Sequence, residues 1–150
     1  MVKEKPNSTR TYDADGFRRR AACICVKDDR EQEVLLVSGS RDRSLWVVPG
    51  GGIEPTEDPG VAALRECNEE AGVKGNLGRC LGTFANEERK TRTSVFVMVV
   101  TEILDDWDDA KTIGRKRKWF SVTEAIEQLS RHKPVQQAYV EMLLKPGNVT

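Results

Sequence analysis

Several residue types that mark particular protein classes are scarce in this chain. Only one of its 150 residues is His and 6% are aromatic, which argues against a histidine-rich zinc site and an extended stacking surface for bases. No run of 18 apolar residues is present, which excludes a membrane-spanning helix, and the first residues lack the apolar stretch of a signal peptide. We therefore expect a protein without a membrane partner that resides in the cytoplasm, with the nucleus as a second location.

Cysteine is scarce as well, and the four cysteines follow no metal-binding or redox pattern. Cys23 and Cys25 are two apart in an apolar run, Cys67 lies in a helical segment and Cys80 stands alone. We interpret all four as reduced, structural thiols of an intracellular protein.

A net charge of one sign is also missing, because 24 Lys and Arg balance 24 Asp and Glu. The basic residues nevertheless cluster along the chain, which predicts a polyanionic partner. The chain is long enough for one domain with its own core. We place this domain at residues 9–144, between a loose polar tail at residues 1–8 and a frayed end at residues 145–150.

Apolar runs and turn residues give the order of the elements. Strands are predicted at residues 21–26, 34–37, 76–85, 93–102 and 119–122, and helices at 59–71, about 122–130 and from Pro134 onward. Residues 50–52 and the acidic stretch at residues 105–109 are interpreted as loops. This order predicts the α/β (α+β) class, with an α/β/α sandwich around a mixed sheet.

The predicted helix at residues 59–71 gathers carboxylates. Positions three and four apart are neighbours on a helix, so Glu66, Glu69 and Glu70 share one face. Asp58 is the expected N-cap, and Gly72 is the expected stop. The opposite arc is expected to be buried, and it consists of Gly60, Val61, Leu64, Cys67 and Ala71.

Clustered carboxylates favour a divalent cation. Oxygen-only ligands suit Mg²⁺ or Mn²⁺ better than zinc. Arg65 is the one cation within the helix, and it offsets only part of the repulsion between the carboxylates. The alternative is an acidic face that is simply solvated, which is the better interpretation of an isolated E-x-x-E-E pattern.

Residues at fixed spacing around these carboxylates favour a binding site. Gly51 is followed after five residues by Glu57, and after seven more by R-E-C-N-E-E-A-G-V from Arg65 to Val73. This pattern resembles the Nudix box, G-x5-E-x7-R-E-U-x-E-E-x-G-U, with Cys67 at a position that is usually aliphatic. By this resemblance Glu57 and Arg65 orient the acidic cluster.

The resemblance implies the Nudix fold and hydrolysis, with Mg²⁺, of a nucleoside diphosphate or another diphosphate linked to a further group. Glu66, Glu69 and Glu70 are implied as catalytic residues. Glu66 and Glu70 are implied as metal ligands, together with the backbone carbonyl of Gly50. Glu69 or Glu70 would take the proton from the attacking water.

Further motifs lie outside the box in a fixed order. They are T-R-T-Y-D from Thr9, R-A-A-C from Arg20, V-P-G-G-G from Val48, A-G-V-K-G from Ala71, E-R-K from Glu88, G-R-K-R from Gly114 and H-K-P-V-Q from His132. Over residues 9–144 the chain thereby resembles one Nudix subgroup, the diphosphoinositol polyphosphate phosphohydrolases. This resemblance implies removal of the β-phosphate from diphosphoinositol polyphosphates (inositol pyrophosphates) and cleavage of diadenosine polyphosphates.

The binding pattern of that subgroup implies a set of mostly basic substrate contacts. They correspond here to Arg10, Arg18, Arg19, Arg20, Gly39, Ser40, Arg41, Arg89, Lys90, Thr91, Arg115 and Lys133. Gly39 and Thr91 stand where relatives usually have Ser and His, so the backbone N–H of Gly39 would replace a hydroxyl. The alternative is that the runs of Arg and Lys are solvated turns or a general nucleic-acid site.

We expect the partner of this protein to be a small polyphosphate, and we expect the protein to be a monomer. One alternative is a hydrolase whose main substrate is a nucleotide or capped RNA, which is the only nucleic acid expected as a partner. Another alternative is a catalytically weak sensor that binds polyphosphate.

Overall fold

The computed structural model describes residues 9–145, which form a mixed β-sheet between helices. In chain order the elements are β1 Arg18–Val26, β2 Glu33–Ser38, β3 Trp46–Val47, β4 Gly50–Gly52, α1 Pro59–Ala71, β5 Val73–Asn86, β6 Thr91–Ile103, α2 Asp108–Ile113, β7 Arg117–Ser121, α3 Val122–Ser130 and α4 Pro134–Glu141. A 3₁₀ turn, Met142–Leu144, follows α4. The predicted tail at residues 1–8, and residues 146–150 of the predicted frayed end, lie outside the described residues.

The sheet is built around β1 and β6, which run parallel to each other. Its main path is β3-β2-β1-β6-β5, with β4 paired to β1 and β7 paired to β2. These other pairings are antiparallel. A central strand is covered on both faces and therefore needs apolar residues at every position, which explains the unbroken apolar run from Ala21 to Val26.

Alternate side chains of β1 point into two separate cores. Ala22, Ile24 and Val26 join the core that contains Leu129 of α3 and Tyr139 of α4. The other core, on the opposite face of the sheet, contains residues of β1 and α1, namely Ala21, Cys23, Cys25, Ala62, Ala63, Cys67 and Ala71. The predicted α/β/α sandwich around a mixed sheet is therefore confirmed.

The helix α1 has the predicted boundaries and caps. The carboxylate of Asp58 accepts a hydrogen bond from the N–H of Gly60 at 3.0 Å. Gly72 ends the helix with a φ of 64°, which a residue with a side chain rarely adopts.

Two predicted loops were wrong. Residues 50–52 are the strand β4, because their backbone pairs with β1 from Arg20 to Ala22. The acidic stretch runs into the short helix α2, which begins at Asp108. The strand predicted at residues 76–85 is also longer, because β5 pairs with β6 along almost its whole length.

All four cysteines are free thiols. The Sγ atoms of Cys25 and Cys67 are 3.6 Å apart, a contact without a covalent bond. Cys23, Cys25 and Cys67 are buried as structural thiols, whereas Cys80 is exposed. Among the described residues, no helix has the length and hydropathy needed to cross a bilayer.

Candidate active site

The carboxylates of α1 lie on its buried side, against β4. Glu66 is fully buried and Glu70 nearly so. The backbone N–H of Gly50 donates a hydrogen bond to Oε1 of Glu70 at 2.8 Å. A Cβ atom on Gly51 would collide with the carboxylate of Glu66, so a larger residue there would displace that side chain. The glycine strand and the acidic helix therefore form one structural unit.

This arrangement corrects part of the predicted buried arc of the helix. Gly60, Cys67 and Ala71 are buried as predicted, whereas Val61 is 56% exposed and Leu64 is only half-buried. The buried side also contains Ala62, Ala63, Glu66 and Glu70. The small side chains let α1 approach the sheet closely. Because of this close approach, two of the three carboxylates are buried between the helix and the sheet.

Arg65 binds the carboxylates that surround it. Its Nε and Nη2 each donate to a different oxygen of Glu57, both at 2.8 Å. Its Nη1 lies 2.9 Å from Glu66 and 3.4 Å from Glu69, and its Nη2 also donates to the carbonyl of Gly52 at 3.0 Å. The hydrogen bonds with Glu57 raise the pKa of Arg65 above its usual range. Such a two-pronged pair fixes orientation as well as charge.

The acidic cluster fits a divalent metal by its chemistry. The carboxylates of Glu66 and Glu70 lie against β4, and the predicted third ligand, Gly50, belongs to that strand. All of these donors are oxygen atoms, the ligands that Mg²⁺ and Mn²⁺ prefer. Within residues 9–145 no three His, Cys, Asp or Glu side chains form a metal cage, and the predicted set needs only two carboxylates and a carbonyl. His132 contacts the carbonyl of Trp46 instead, with Nε2 3.0 Å from the oxygen.

A basic cleft opens beside this cluster. It consists of two adjoining pockets, of about 660 and 420 Å³, which share Arg20, Arg89 and Lys133. The smaller pocket also reaches Gly50 and Glu70. The predicted substrate residues that line one pocket or both are Arg10, Arg18, Arg20, Gly39, Ser40, Arg41, Arg89, Lys90, Thr91, Arg115 and Lys133.

Arg19 is the predicted substrate residue that lines neither pocket. Side chains alternate along a strand, so Arg18 and Arg20 face the cleft while Arg19 points away from it. Its Nε lies 3.8 Å from the carboxylate of Asp13. All three belong to β1, which excludes the alternative that they form a solvated turn.

Cations converge in the cleft strongly enough to affect one another. Burial lowers the pKa of Lys133, and the nearby charges of Arg89, Arg20 and Arg41 lower it further. Burial likewise lowers the pKa of Arg18. Bringing like charges together costs free energy that a bound polyanion would offset. The cleft is therefore built for an anionic ligand.

Arg115 differs from the other predicted phosphate contacts because its guanidinium is bound by two groups of the protein. Its side chain is 5% exposed, its Nε lies 3.0 Å from the carboxylate of Asp109, and its Nη1 donates to the carbonyl of Ser38 at 3.0 Å. Asp109 is buried, so the interpretation of the acidic stretch as a solvated loop was wrong at this residue. This ion pair holds one wall of the smaller pocket.

Two residues near the site were missed by sequence reasoning. The indole N–H of Trp107 donates to the carbonyl of Glu70 at 2.9 Å. Arg117 stacks on the Trp107 ring at 3.9 Å and donates to the carbonyls of Ala71 and Leu104. The hydrogen bonds to Glu70 and Ala71 satisfy carbonyls at the end of α1, which has no basic residue in its last turn. No local signal reveals them, because they lie more than 30 residues further along the chain.

Comparison with known proteins agrees with this geometry. The sequence model of the family described as NUDIX domain matches residues 17–143. The chain belongs to the Nudix family. It therefore carries the hydrolase domain of that family, and Nudix hydrolases generally need a divalent metal.

Curated relatives of this Nudix chain are similar over most of their length. Human diphosphoinositol polyphosphate phosphohydrolase 2 is 61% identical over 143 residues, which cover 95% of this chain and 79% of the relative. Human diphosphoinositol polyphosphate phosphohydrolase 3-beta is 59% identical over 150 residues, which cover 99% of this chain and 92% of the relative.

Solved structures support the Nudix fold itself. A NUDIX hydrolase from Nitrosomonas europaea superposes with a TM-score of 0.65 over 84% of this chain and 87% of its own. At a sequence identity of 22%, this superposition is evidence for the fold alone.

Proposed function

We propose that this protein is a Mg²⁺-dependent pyrophosphohydrolase that removes the β-phosphate of diphosphoinositol polyphosphates and also cleaves diadenosine polyphosphates. One observation carries the proposal: the pocket that reaches Gly50 and Glu70 is lined by Arg20, Arg41 and Lys133 as well. A phosphate chain held by these cations would extend to the acidic cluster.

The cleft suits a ligand with many phosphates. A phosphorylated inositol ring carries negative charge on several sides. The cations of the cleft come from separate segments of the chain and would contact such a ring from more than one side. Arginine adds paired donors in a fixed plane that match phosphate oxygens. The similarity to relatives named diphosphoinositol polyphosphate phosphohydrolases supports the same substrate class.

The residues of α1 would divide the chemistry among them. Glu66 and Glu70, with the carbonyl of Gly50, would hold Mg²⁺ or Mn²⁺. Bound metal neutralises charge on the phosphoryl oxygens and lowers the pKa of a coordinated water. Glu69 is the least buried of the three carboxylates, with a 25% exposed side chain, which supports it as the group that accepts a proton from water. The guanidinium of Arg65 contacts both Glu66 and Glu69 and holds their carboxylates in place.

The cellular setting is part of the proposal. Free cysteines agree with a reducing compartment, so we propose the cytoplasm, with the nucleus as a second location. We also propose that the protein acts as a monomer.

The experiment that tests this function follows two products, each with Mg²⁺ and with chelator: inorganic phosphate from diphosphoinositol pentakisphosphate, and nucleotides from diadenosine hexaphosphate, separated by ion-exchange chromatography. Both reactions should depend on Mg²⁺. Absence of product from both substrates with metal present would contradict the proposal.

The variant Glu70→Gln separates catalysis from binding. The amide oxygen can still accept the hydrogen bond from Gly50, so the fold should be kept while the metal loses a charged ligand. We expect a loss of turnover of roughly 100-fold or more with substrate affinity largely retained. Turnover equal to the unmodified protein would contradict the metal assignment. An unmodified protein that binds both compounds but cleaves neither would be a polyphosphate sensor.

A further inference from the structure

One aromatic residue of the cleft has a side chain that is not packed in either core. Tyr12 is 56% exposed, and it is the one aromatic side chain among the exposed large apolar residues of the described chain. The other aromatic rings between residues 9 and 145 are buried or half-buried. A single exposed apolar residue is ordinary on a protein surface, so the position of Tyr12 in the cleft carries more weight than its exposure.

The backbone on either side of Tyr12 is fixed although its ring is exposed. The hydroxyl of Thr11 donates to the carbonyl of Ile53 at 2.6 Å. The N–H of Asp13 donates to the carbonyl of Phe17 at 2.8 Å. Tyr12 itself forms an isolated β-bridge with Arg18. The ring therefore stands on a rigid segment, and a tyrosine side chain loses little conformational freedom when it binds.

The surroundings of Tyr12 leave space for a planar group next to phosphate-binding cations. Tyr12 lines the larger pocket together with Arg10, Arg18 and Lys133. Gly16 also lines this pocket, and a Cβ atom placed there would meet no atom within 4 Å. An exposed aromatic ring thus lines the same basic cleft as these cations.

We infer that Tyr12 is a stacking platform for a nucleobase, and that it determines the affinity of the cleft for adenosine-capped polyphosphates. This inference rests on the proposed function and deepens it. An inositol ring is saturated and has no π-face, so it cannot stack on Tyr12 as a base does. A base at the end of a polyphosphate chain stacks on the ring while the phosphates reach Arg18 and Arg20.

A binding experiment without catalysis tests the inference. The probes are adenosine 5′-tetraphosphate and inorganic tripolyphosphate, titrated into the protein by calorimetry in the presence of chelator. We expect the Tyr12→Ala variant to bind the adenosine compound roughly tenfold more weakly and tripolyphosphate unchanged. Tyr12→Phe keeps an aromatic face and should bind both as the unmodified protein does, whereas Tyr12→Leu should resemble Tyr12→Ala.

Each other outcome overturns the inference. If Tyr12→Ala lost the same affinity for both probes, Tyr12 would maintain the shape of the cleft and would not bind a base. If the affinity for both probes were unchanged, the ring would contact neither of them. Because the titration needs no turnover, it stands even if the protein hydrolyses neither proposed substrate. In the turnover assay, Tyr12→Ala should raise KM roughly tenfold for diadenosine hexaphosphate and leave KM for the inositol compound within twofold. A rise for the inositol compound as well would contradict selection by stacking.

Discussion

Trp107 donates its indole N–H to the backbone carbonyl of Glu70, 37 positions earlier in the chain, at 2.9 Å. The residue whose carboxylate accepts from Gly50 is thus held at its backbone by a second segment. The end of a helix otherwise leaves carbonyls without partners, and a side chain from elsewhere can fill this role. The position of Glu70 therefore depends on the stretch before α2 as well as on α1.

Replacement of Trp107 by Phe should destabilise the protein by about 1 kcal/mol, because the ring remains while one hydrogen bond to a partly buried carbonyl is lost. Urea unfolding measures this loss. Trp119→Phe is the control, because it removes an indole from β7 and leaves the end of α1 intact. We also expect kcat to fall for Trp107→Phe and not for Trp119→Phe. Equal kcat values in the two variants would contradict a role in positioning Glu70.

Replacement of Arg65 by Lys should reduce kcat and lower the free energy of unfolding by about 2 kcal/mol. Lysine keeps the charge but cannot bind both oxygens of Glu57 while it also reaches Glu66. Arg79→Lys is the matched control, since Arg79 binds both oxygens of Glu31 with a similar fork on another part of the surface. Loss of kcat in Arg79→Lys as large as in Arg65→Lys would show that the effect is general destabilisation.

Replacement of Gly51 by Ala should cost roughly 100-fold in kcat, because the added methyl group displaces the Glu66 carboxylate from its place against β4. Steady-state kinetics and circular dichroism together measure the loss and check the fold. Gly78→Ala is the control, because a Cβ atom there would lie 3.2 Å from its nearest neighbour, the carbonyl of Val97, and far less adjustment is needed. Full activity of Gly51→Ala would contradict the close packing of α1 on β4.

The ion pair between Asp15 and Arg92 should make a contribution to stability that acid removes. Hydrogen bonds from Arg92 lower the pKa of Asp15 from 3.8 to about 2. A group whose pKa is lower in the folded state stabilises that state fully above its unfolded pKa and loses the effect as pH falls toward the folded pKa. The stability difference between the unmodified protein and Asp15→Asn should therefore be constant above about pH 5 and shrink from pH 4 toward pH 2.

Chemical denaturation at several pH values measures this difference, and an NMR titration of the carboxylate measures the pKa directly. Because the Asp15 side chain is 51% exposed, high salt should weaken the effect. A midpoint near 3.8 for Asp15 would contradict the ion pair.

Local signals predicted much of the helix α1 and of the sheet. Pro59 and Gly72 bound the helix as expected, because capping and stop residues act within a few positions of the helix ends. The run from Ala21 to Val26 predicted a central strand, since burial on both faces leaves an unbroken apolar stretch. The glycines of β4 were harder to interpret, because a strand of three residues is defined only by the partner it pairs with.

The kinds of groups at the site and their spacing along α1 can be read from the order of residues. An acidic helix after a glycine run, with a basic set along the rest of the chain, follows from the order of residues alone. Alternation along β1 indicates that Arg18 and Arg20 lie on one face of the strand and Arg19 on the other. Three consecutive arginines do not indicate which of the two faces meets the ligand.

Which of these groups contact one another depends on the packing of distant segments. The side of α1 that contains Glu66 and Glu70 is buried because small residues next to them pack on the sheet, a choice that helical spacing leaves open. The guanidinium of Arg115 binds the carbonyl of Ser38, 77 positions away, whereas Lys133 and Arg20 face the cleft, because these positions depend on contacts between segments far apart in the chain. The ring of Tyr12 stays exposed for the same reason: the segments around it fix its backbone and leave its side chain uncovered.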